Sequence, residues 1–370
     1  SLSHFENQTT PMSTHFHSLR VKSIAPDTDE AVIVSFDVPS ALQTDFQFTQ
    51  GQHLTLRTQL NGKEERRSYS ICSGVDDGEL RIGVRHVTGG VMSSWLNQSL
   101  KSGDAIDVLP PEGRFFVAID ASQSRNYLGI AGGSGITPIL AIMKTVLARE
   151  PLSRFTLIYS NRRQASTMFK EELEDLKNRY LTRLTLHTVF SQEHMDSPLY
   201  SGRLTQAKLG EFLGALIQPQ QLDHVFVCGP HGFNDEADAA LLAAGVPAEH
   251  IHIERFGVPV DATGAQAKPT VQAGDAPQAI IQIIRDGLSR EIEFRTEHGN
   301  VLDAAAAAGL EVPYSCKSGV CCTCRAKLIE GKVRMDRNFA LEKHEVEAGF
   351  VLTCQAHPLT ERVVISFDER

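Results

Sequence analysis

The chain has no apolar run approaching the roughly 18 to 20 residues that cross a bilayer as a helix, and no secretory signal opens it. No membrane partner is expected. Base is in short supply too: 36 Lys and Arg stand against 45 Asp and Glu, a net charge of −9, which argues against a nucleic-acid partner. Cysteine is scarce, at seven in 370 residues, and is not spread in the dispersed pairs of a disulfide framework. That usage suits a reducing compartment, so the cytoplasm is the expected location. The chain opens on Ser1, and Met12, just before a strand-like segment, is the expected natural start. Its length favours two or three domains.

The cysteines that are present sit together. Cys316, Cys321 and Cys324 in "CKSGVCCTC" (316–324) read C-x4-C-x2-C, and Cys354 follows after a long gap. This is the plant-type spacing for a [2Fe–2S] cluster, in which three thiolates on one tight loop wrap a small inorganic core and a distant fourth closes it. A zinc ribbon would need a second C-x2-C knuckle, and there is none. Gly319 lets the loop curl with no Cβ in the way, and such a loop can aim backbone N–H groups at the sulfides. Cys322 is left over; it reads as a space-filling residue with a free thiol open to oxidation. Around the loop, 279–295 reads as two strands with a turn at Asp286-Gly287, 300–310 as a short helix ending at Gly309, "RAKLIEGKV" as a strand and 362–367 as the last strand. This arrangement, over 279–370, resembles the β-grasp ferredoxin domain.

Residues 257–278 are rich in Gly, Ala, Pro and Asp, show no period and read as a linker. Before it, residues 12–120 read as short strands broken by turns, with an Asn61-Gly62 hairpin, which indicates an antiparallel barrel or sandwich. Inside lie "RSYS" (67–70) and "GGVMSSWL" (89–96). The R-x-Y-S and G-x-x-S pair resembles the flavin-binding barrel of the ferredoxin-NADP reductase superfamily. In that setting Arg67 is a charged fork for the flavin phosphates, Tyr69 an aromatic face for the ring system, and Ser70, after Ser68, a hydroxyl near its reacting nitrogen. Gly90, Val91, Met92 and Ser93 open a helix whose free N–H groups favour a pyrophosphate. Cys72 and His86 are candidates either for lining the flavin or for packing.

Residues 121–256 alternate strands with helices, which indicates a doubly wound parallel sheet. Its turn "GGSGITP" is not the dehydrogenase G-x-G-x-x-G fingerprint; it resembles the reductase superfamily's own version, in which Gly133, Gly135 and Thr137 let a pyrophosphate approach a helix N-terminus. Cys228 and Gly229, in "CGP", end a strand at the ligand-binding edge, and the resemblance implies a place for Cys228 beside the nicotinamide. Glu254, in "IERF", resembles the superfamily's acidic residue near the hydride path. Ser160, Arg162 and Arg163, in "YSNRR", offer donors and no carboxylate where a nucleotide 2′-phosphate would sit. That favours NADPH.

On "GQHLTL", "RSYSIC", "GSGITPILAI", "FTLIYSNR", "HIERF" and "GFVLTCQAHPLT", the stretch from about 12 to 370 is similar to the reductase components of bacterial phenylacetyl-CoA epoxidases. The resemblance implies an oxidoreductase with FAD rather than FMN, a [2Fe–2S] cluster and NADPH, passing electrons to a di-iron oxygenase component. Ser70, Cys228 and Glu254 are the expected catalytic residues. Reductases of other aromatic-ring oxygenases share the domain order, and a ferredoxin-like carrier with a non-functional reductase module is the rival reading.

If the four spaced cysteines hold the cluster, replacing Cys316, Cys321, Cys324 or Cys354 by Ser abolishes the visible iron–sulfur absorbance, whereas Cys322→Ser keeps it together with about two irons per chain. A normal cluster in any one of the first four variants rejects the ligand set.

Overall fold

Alternation of apolar and polar residues builds the first unit. In β1 (His17–Thr28) Leu19 and Val21 point inward while Ser18, Arg20 and Lys22 face solvent, the period-two pattern of a half-buried strand. It is followed by β2 (Ala31–Asp37), β3 (His53–Leu60), β4 (Lys63–Ser70), β5 (Leu80–Arg85), helix α1 (Val91–Gln98) and β6 (Ala105–Val108). The computed structural model describes residues 15–257 and 271–369, so the expected start at Met12 and most of the expected linker lie outside the described residues. Asn61 and Gly62 both carry positive φ (52° and 73°), as a two-residue turn between β3 and β4 requires. The antiparallel order is β4-β3-β6-β1-β2-β5, and an Ile71–Ile82 bridge joins its two edges into a barrel around Leu19, Val34, Leu54, Leu56 and Val84.

The second unit comprises β7 (Asn126–Gly132), α2 (Ile136–Arg149), β8 (Arg154–Asn161), α3 (Lys170–Arg179), β9 (Leu184–Phe190), α4 (Gln206–Ala215), β10 (His224–Gly229), α5 (His231–Ala243) and β11 (Ile251–Arg255). All its strands are parallel, in the order β11-β10-β7-β8-β9. Successive residues of β7 go to opposite faces: Tyr127 and Ala131 join Ile139, Leu173 and Phe155, while Leu128 and Ile130 join Leu209, Phe212 and Leu241. Covering both faces explains why these strands are continuously apolar. The chain leaves β7 towards β8 on one side and returns to β10 on the other, so the carboxyl ends of β7 and β10 form the switch point where such sheets bind ligands. Barrel and sheet share a core: Ala31, Cys72 and Phe115 pack with Phe226 and Cys228.

The third unit contains β12 (Gln278–Arg285), β13 (Leu288–Arg295), α6 (Val301–Ala307), β14 (Arg325–Glu330), β15 (Val333–Met335), α7 (Lys343–Glu347), β16 (Phe350–Leu352), β17 (Ala356–Pro358) and β18 (Arg362–Ser366). Its sheet runs β13-β12-β18-β14-β16, with β12 and β18 parallel, and α6 buries Val301, Leu302 and Ala305 against it. Asn300 caps that helix by accepting from Asp303 N at 2.8 Å. Two expectations change. "RAKLIEGKV" is broken after Glu330, and Val333–Met335 pairs with β17 in a separate ribbon. Residues 271–277, expected to end a linker, are tied to this unit: Arg334 holds the Asp275 carboxylate in a bidentate pair, and Ala276 N donates to Pro358 O at 2.9 Å. Composition cannot distinguish a tether from a chain fixed by one such pair.

Gly135 shows how tightly the switch point is closed. Its φ is an ordinary −62°, but a Cβ there would lie 2.0 Å from the carbonyl oxygen of Cys228, which is backbone and cannot give way. Gly135→Ala is expected to cost about 1–3 kcal/mol or more, seen as a lowered Tm. Gly210→Ala, on α4 with open space around it, is expected to gain about 0.5–1 kcal/mol. Equal melting temperatures for the two variants would contradict this account.

Candidate functional site

The end of β4, the middle of β5 and the starts of α1 and α2 surround a cavity of about 390 Å³. Arg67, Ser68, Tyr69 and Ser70 line one wall, Gly90, Val91, Met92 and Ser93 another, and Ser134, Thr137 and Phe256 complete it with Gly83 and Arg85. Gly83 must be glycine, because a Cβ would meet the Thr137 methyl and the Phe169 ring at 2.9 Å. Helix α1 has no side-chain cap on its first N–H groups. Ser93 is not free for an outside ligand alone: its Oγ accepts from Val87 N at 3.1 Å and shapes the loop before the helix. Cys72 and His86 are outside the lining. Cys72 is in the shared core with its thiol pushed up to about 12 by burial, and His86 Nε2 bonds Ser94 Oγ at 3.1 Å.

Beside this cavity three distant segments meet. Ser70 Oγ, buried at the end of β4, donates to Glu254 Oε2 on β11 at 3.3 Å. Burial raises the Glu254 carboxyl to about 7, against the opposing pull of His53 and the Ser70 hydrogen bond. His53, on β3, is depressed by burial, but the bond and charge of Glu112 overcome this and leave it raised. Cys228 is paired with Glu254 in the parallel register of β10 and β11. It is fully buried, lines neither cavity, and its thiol is held well above the usual range by burial, so it is a neutral packing residue behind the strand ends. Asn234, which no sequence pattern marks, joins the two strand ends by donating to Gly229 O (3.1 Å) and Glu254 O (3.2 Å).

The cysteine loop lies directly opposite. Lys317, Gly319 and Cys322 all have positive φ, and a Cβ on Gly319 would press to 3.2 Å from Arg337 O. The four spaced thiols interact in two pairs, Cys316 with Cys321 and Cys324 with Cys354. The Cys321 thiol and the Ser318 donors pull Cys316 below the usual thiol range against its burial. Ser318 N lies 3.3 Å from Cys316 Sγ, and Gln355 Nε2 lies 3.5 Å from Cys354 Sγ. Among the described residues no three His, Cys, Asp or Glu side chains converge as for a single metal ion. Two thiol pairs with N–H groups aimed at sulfur fit a two-iron core instead. Cys322 points elsewhere, donating to Ala340 O at 3.3 Å, and burial pushes it up to about 12. Cys322 is only partly buried, so its raised pKa, rather than its position, is what lowers its thiolate fraction.

The loop is docked on the barrel. Ser68 Oγ donates to Ser315 Oγ at 2.8 Å, and Thr55 Oγ1 lies 3.0 Å from Ser68 Oγ and 3.3 Å from Thr323 Oγ1. Arg57 pairs with Glu311 at 2.6 Å, and the Arg66 guanidinium stacks 3.9 Å from the centre of the Tyr314 ring. Between these contacts a second cavity, of about 560 Å³, runs from Ser70, Glu254 and Phe256 to Cys316, Ser318 and Cys321. Arg67, Ser68, Ser70 and Phe256 line both cavities, which are thus neighbours.

At the switch point Gly133 (φ 53°) and Gly135 precede α2, and Thr137 Oγ1 donates to Ser134 O at 3.0 Å. Gly229 ends β10 in a space that a Cβ would fill, 2.4 Å from the Phe233 ring. Ser160 lies at the end of β8, followed by exposed Arg162 and Arg163. A carboxylate from outside this stretch also stands here: Glu30, from the turn between β1 and β2, reaches to 3.7 Å from Arg162.

Sequence profiles match the chain in three places: the oxidoreductase FAD-binding domain at 18–117, the oxidoreductase NAD-binding domain at 130–238 and the 2Fe-2S iron-sulfur cluster binding domain at 283–359. A component protein of the 1,2-phenylacetyl-CoA epoxidase of Escherichia coli (strain K12) is 43% identical, over 96% of this chain and 99% of its own. The ferredoxin reductase component of 3-ketosteroid-9-alpha-monooxygenase from Rhodococcus rhodochrous is 32% identical, over 94% of this chain and 96% of its own. The chain belongs to the family of oxygenase reductase components. The fold of this reductase is that of the solved phthalate dioxygenase reductase, at a TM-score of 0.57 and 23% identity, covering 97% of this chain and all of that one. The reductase is an NAD(P)H-dependent oxidoreductase with FAD, NAD and 2Fe-2S domains, serving an oxygenase component. Among its described residues no helix is long and apolar enough to cross a membrane.

Glu254 has a signature in stability. Its carboxyl ionises near 4.5 in an unfolded chain and near 7 in the fold, so its neutral form is stabilising below 4.5 and that contribution is lost as pH rises through about 7. Melts across this window are expected to show a smaller fall in Tm with rising pH for Glu254→Gln than for wild type. Identical slopes would mean that another group titrates.

Proposed function

We propose that the reductase takes electrons from NADPH and passes them through FAD and a [2Fe–2S] cluster to the di-iron oxygenase that epoxidises the ring of phenylacetyl-CoA. The observation that carries the electron route is the pair of neighbouring cavities, one at Tyr69 and Ser70 and the other reaching Cys316 and Cys321. The acceptor is inferred from the 43% identity, along nearly the full length, to a protein whose name specifies that substrate.

The roles follow from the geometry. Arg67 and the uncapped N–H groups of Val91, Met92 and Ser93 hold the flavin's phosphates, with Gly90 leaving room for them. Tyr69 covers the ring system, and Ser68 and Ser70 bond its polar edge. Gly133, Gly135 and Thr137 would admit the nicotinamide cofactor's pyrophosphate, Ser160, Arg162 and Arg163 would meet its 2′-phosphate, and Gly229 would bring the end of β10 to the nicotinamide with Cys228 buried behind it. Glu254, held by Ser70 and raised by burial to about 7, could exchange a proton or offer a hydrogen bond at the reacting edge near neutral pH. Phe256 flanks both cavities. Cys316, Cys321, Cys324 and Cys354 hold the cluster. When bound, a flavin would accept the two electrons that a nicotinamide gives up as a hydride and release them singly to an iron–sulfur centre held by these cysteines.

Reconstitution with the oxygenase component of phenylacetyl-CoA epoxidase and phenylacetyl-CoA tests this reading. NADPH-driven epoxide formation is expected, with kcat/KM for NADPH above that for NADH and the ratio lowered about tenfold in Arg162→Ala, the scale of one lost charge-assisted contact. No epoxide beside undiminished ferricyanide reduction would point to a different oxygenase, and an unchanged cofactor ratio would remove Arg162 from the 2′-phosphate site.

A further inference from the structure

The arginine assigned to the 2′-phosphate already faces an anion from another domain. Glu30 sits on the tight turn between β1 and β2, where its N–H donates to Thr28 Oγ1 at 3.1 Å and its carbonyl accepts from His86 N at 2.7 Å. With the backbone held at both points, the carboxylate reaches out to accept from Arg85 Nη2 at 2.7 Å and lies 3.7 Å from Arg162 Nη2. Arg85 is on β5 of the barrel, and Arg162 follows β8 of the parallel sheet. The other Arg85 nitrogen, Nη1, hangs over the glycine turn: a Cβ on Gly133 would be 3.0 Å from it.

Gly133, Arg85, Glu30 and Arg162 therefore follow one another across the cleft, from the helix start that admits a pyrophosphate to the strand end that meets the adenosine ribose. The Glu30 carboxylate stands between Arg85 and Arg162. The Arg85 hydrogen bond, then the charges of Arg85, Arg162 and His86, hold Glu30 below the usual carboxylate range despite slight burial, so it is an anion at neutral pH. Its side chain is 49% exposed, and it can swing into water without leaving a buried gap.

We propose that Glu30 is a specificity-determining residue, occupying the place beside Arg162 that the 2′-phosphate of NADPH must take. The phosphate binds by displacing it, and the preference for NADPH over NADH is thereby held below what the arginines alone would give. NADH, with a hydroxyl at that position, displaces nothing. This inference rests on the assignment of Arg162 to the 2′-phosphate. Exposed ion pairs of this kind are individually weak, so losing the Glu30 charge is expected to change affinity by roughly three- to tenfold.

The test uses the full-length holoprotein, with 2′,5′-ADP and 5′-AMP as probes in titration calorimetry and steady-state kinetics with both nicotinamides. Glu30→Gln is expected to bind 2′,5′-ADP about three- to tenfold more tightly and 5′-AMP as wild type does, with the gain appearing in KM for NADPH rather than in kcat. Glu30→Asp keeps the charge on a shorter stem and is expected to fall between the two. In an Arg162→Ala background the gain from Glu30→Gln should shrink. Unaltered or weaker 2′,5′-ADP binding in Glu30→Gln, while Arg162→Ala weakens it, would overturn the role of Glu30 and leave Arg162 in place. Equal tightening of both probes would also overturn it, because the effect would not be on the 2′-phosphate. No loss of 2′,5′-ADP binding in Arg162→Ala would remove the underlying assignment and this inference with it.

Discussion

The arrangement depends on a seam of hydroxyl groups between the barrel and the cysteine loop. Thr55 and Ser68, on adjacent strands of the barrel, meet Thr323 and Ser315, which are each one residue away from a cluster cysteine. Thr55 and Thr323 are fully buried, and each is bonded across the seam. A buried hydroxyl left without its partner loses its solvation, so neither side of the seam can slip without cost. Ser68 belongs to the strand that lines the first cavity, so the same contacts set where the cysteine loop lies relative to that cavity.

Around this seam the contacts become charged and more exposed. The Arg57–Glu311 pair and the Arg66–Tyr314 stack are polar contacts at the margin of the iron–sulfur unit. The barrel and the parallel sheet, by contrast, share an apolar core through Ala31, Cys72, Phe115 and Phe226. The first two units therefore behave as one body in their packing, while the third is attached through directional polar contacts. Such interfaces are weaker per unit area and more sensitive to salt than an apolar core. Burial of Glu254 beside Ser70 works in the opposite sense, raising its carboxyl towards neutrality and keeping full charge away from the place where the cavities adjoin.

Legibility in the sequence follows the range of the interactions concerned. The Asn61-Gly62 and Asp286-Gly287 turns, the α6 helix ending before Gly309 and the four-cysteine spacing are local, and each appears in the fold where the residues indicate. "RAKLIEGKV" has the composition of one strand, yet Gly331 bends the chain at φ 88° against the carbonyl of Arg362, a neighbour that spacing along the chain does not reveal. The linker is shorter than its composition suggests for a similar reason, since its Gly- and Ala-rich end is fixed by one carboxylate on Arg334. His53, Arg85 and Phe256 enter the cavities unannounced, because a single His, Arg or Phe in a strand has no pattern to mark it.

By itself the sequence determined the three-unit order, the parallel and antiparallel character of the sheets, the iron–sulfur spacing and the basic end of β8, because periodicity, turn residues and thiol spacing act over a few positions. Only the tertiary structure decided what those parts face. It paired Ser70 with Glu254 across 184 positions, set Ser68 against Ser315 across 247, and brought Glu30 from the first hairpin to Arg162. These meetings depend on how two edges of separate sheets are packed together. That packing is settled by the sum of many buried contacts, and no short stretch of sequence contains it.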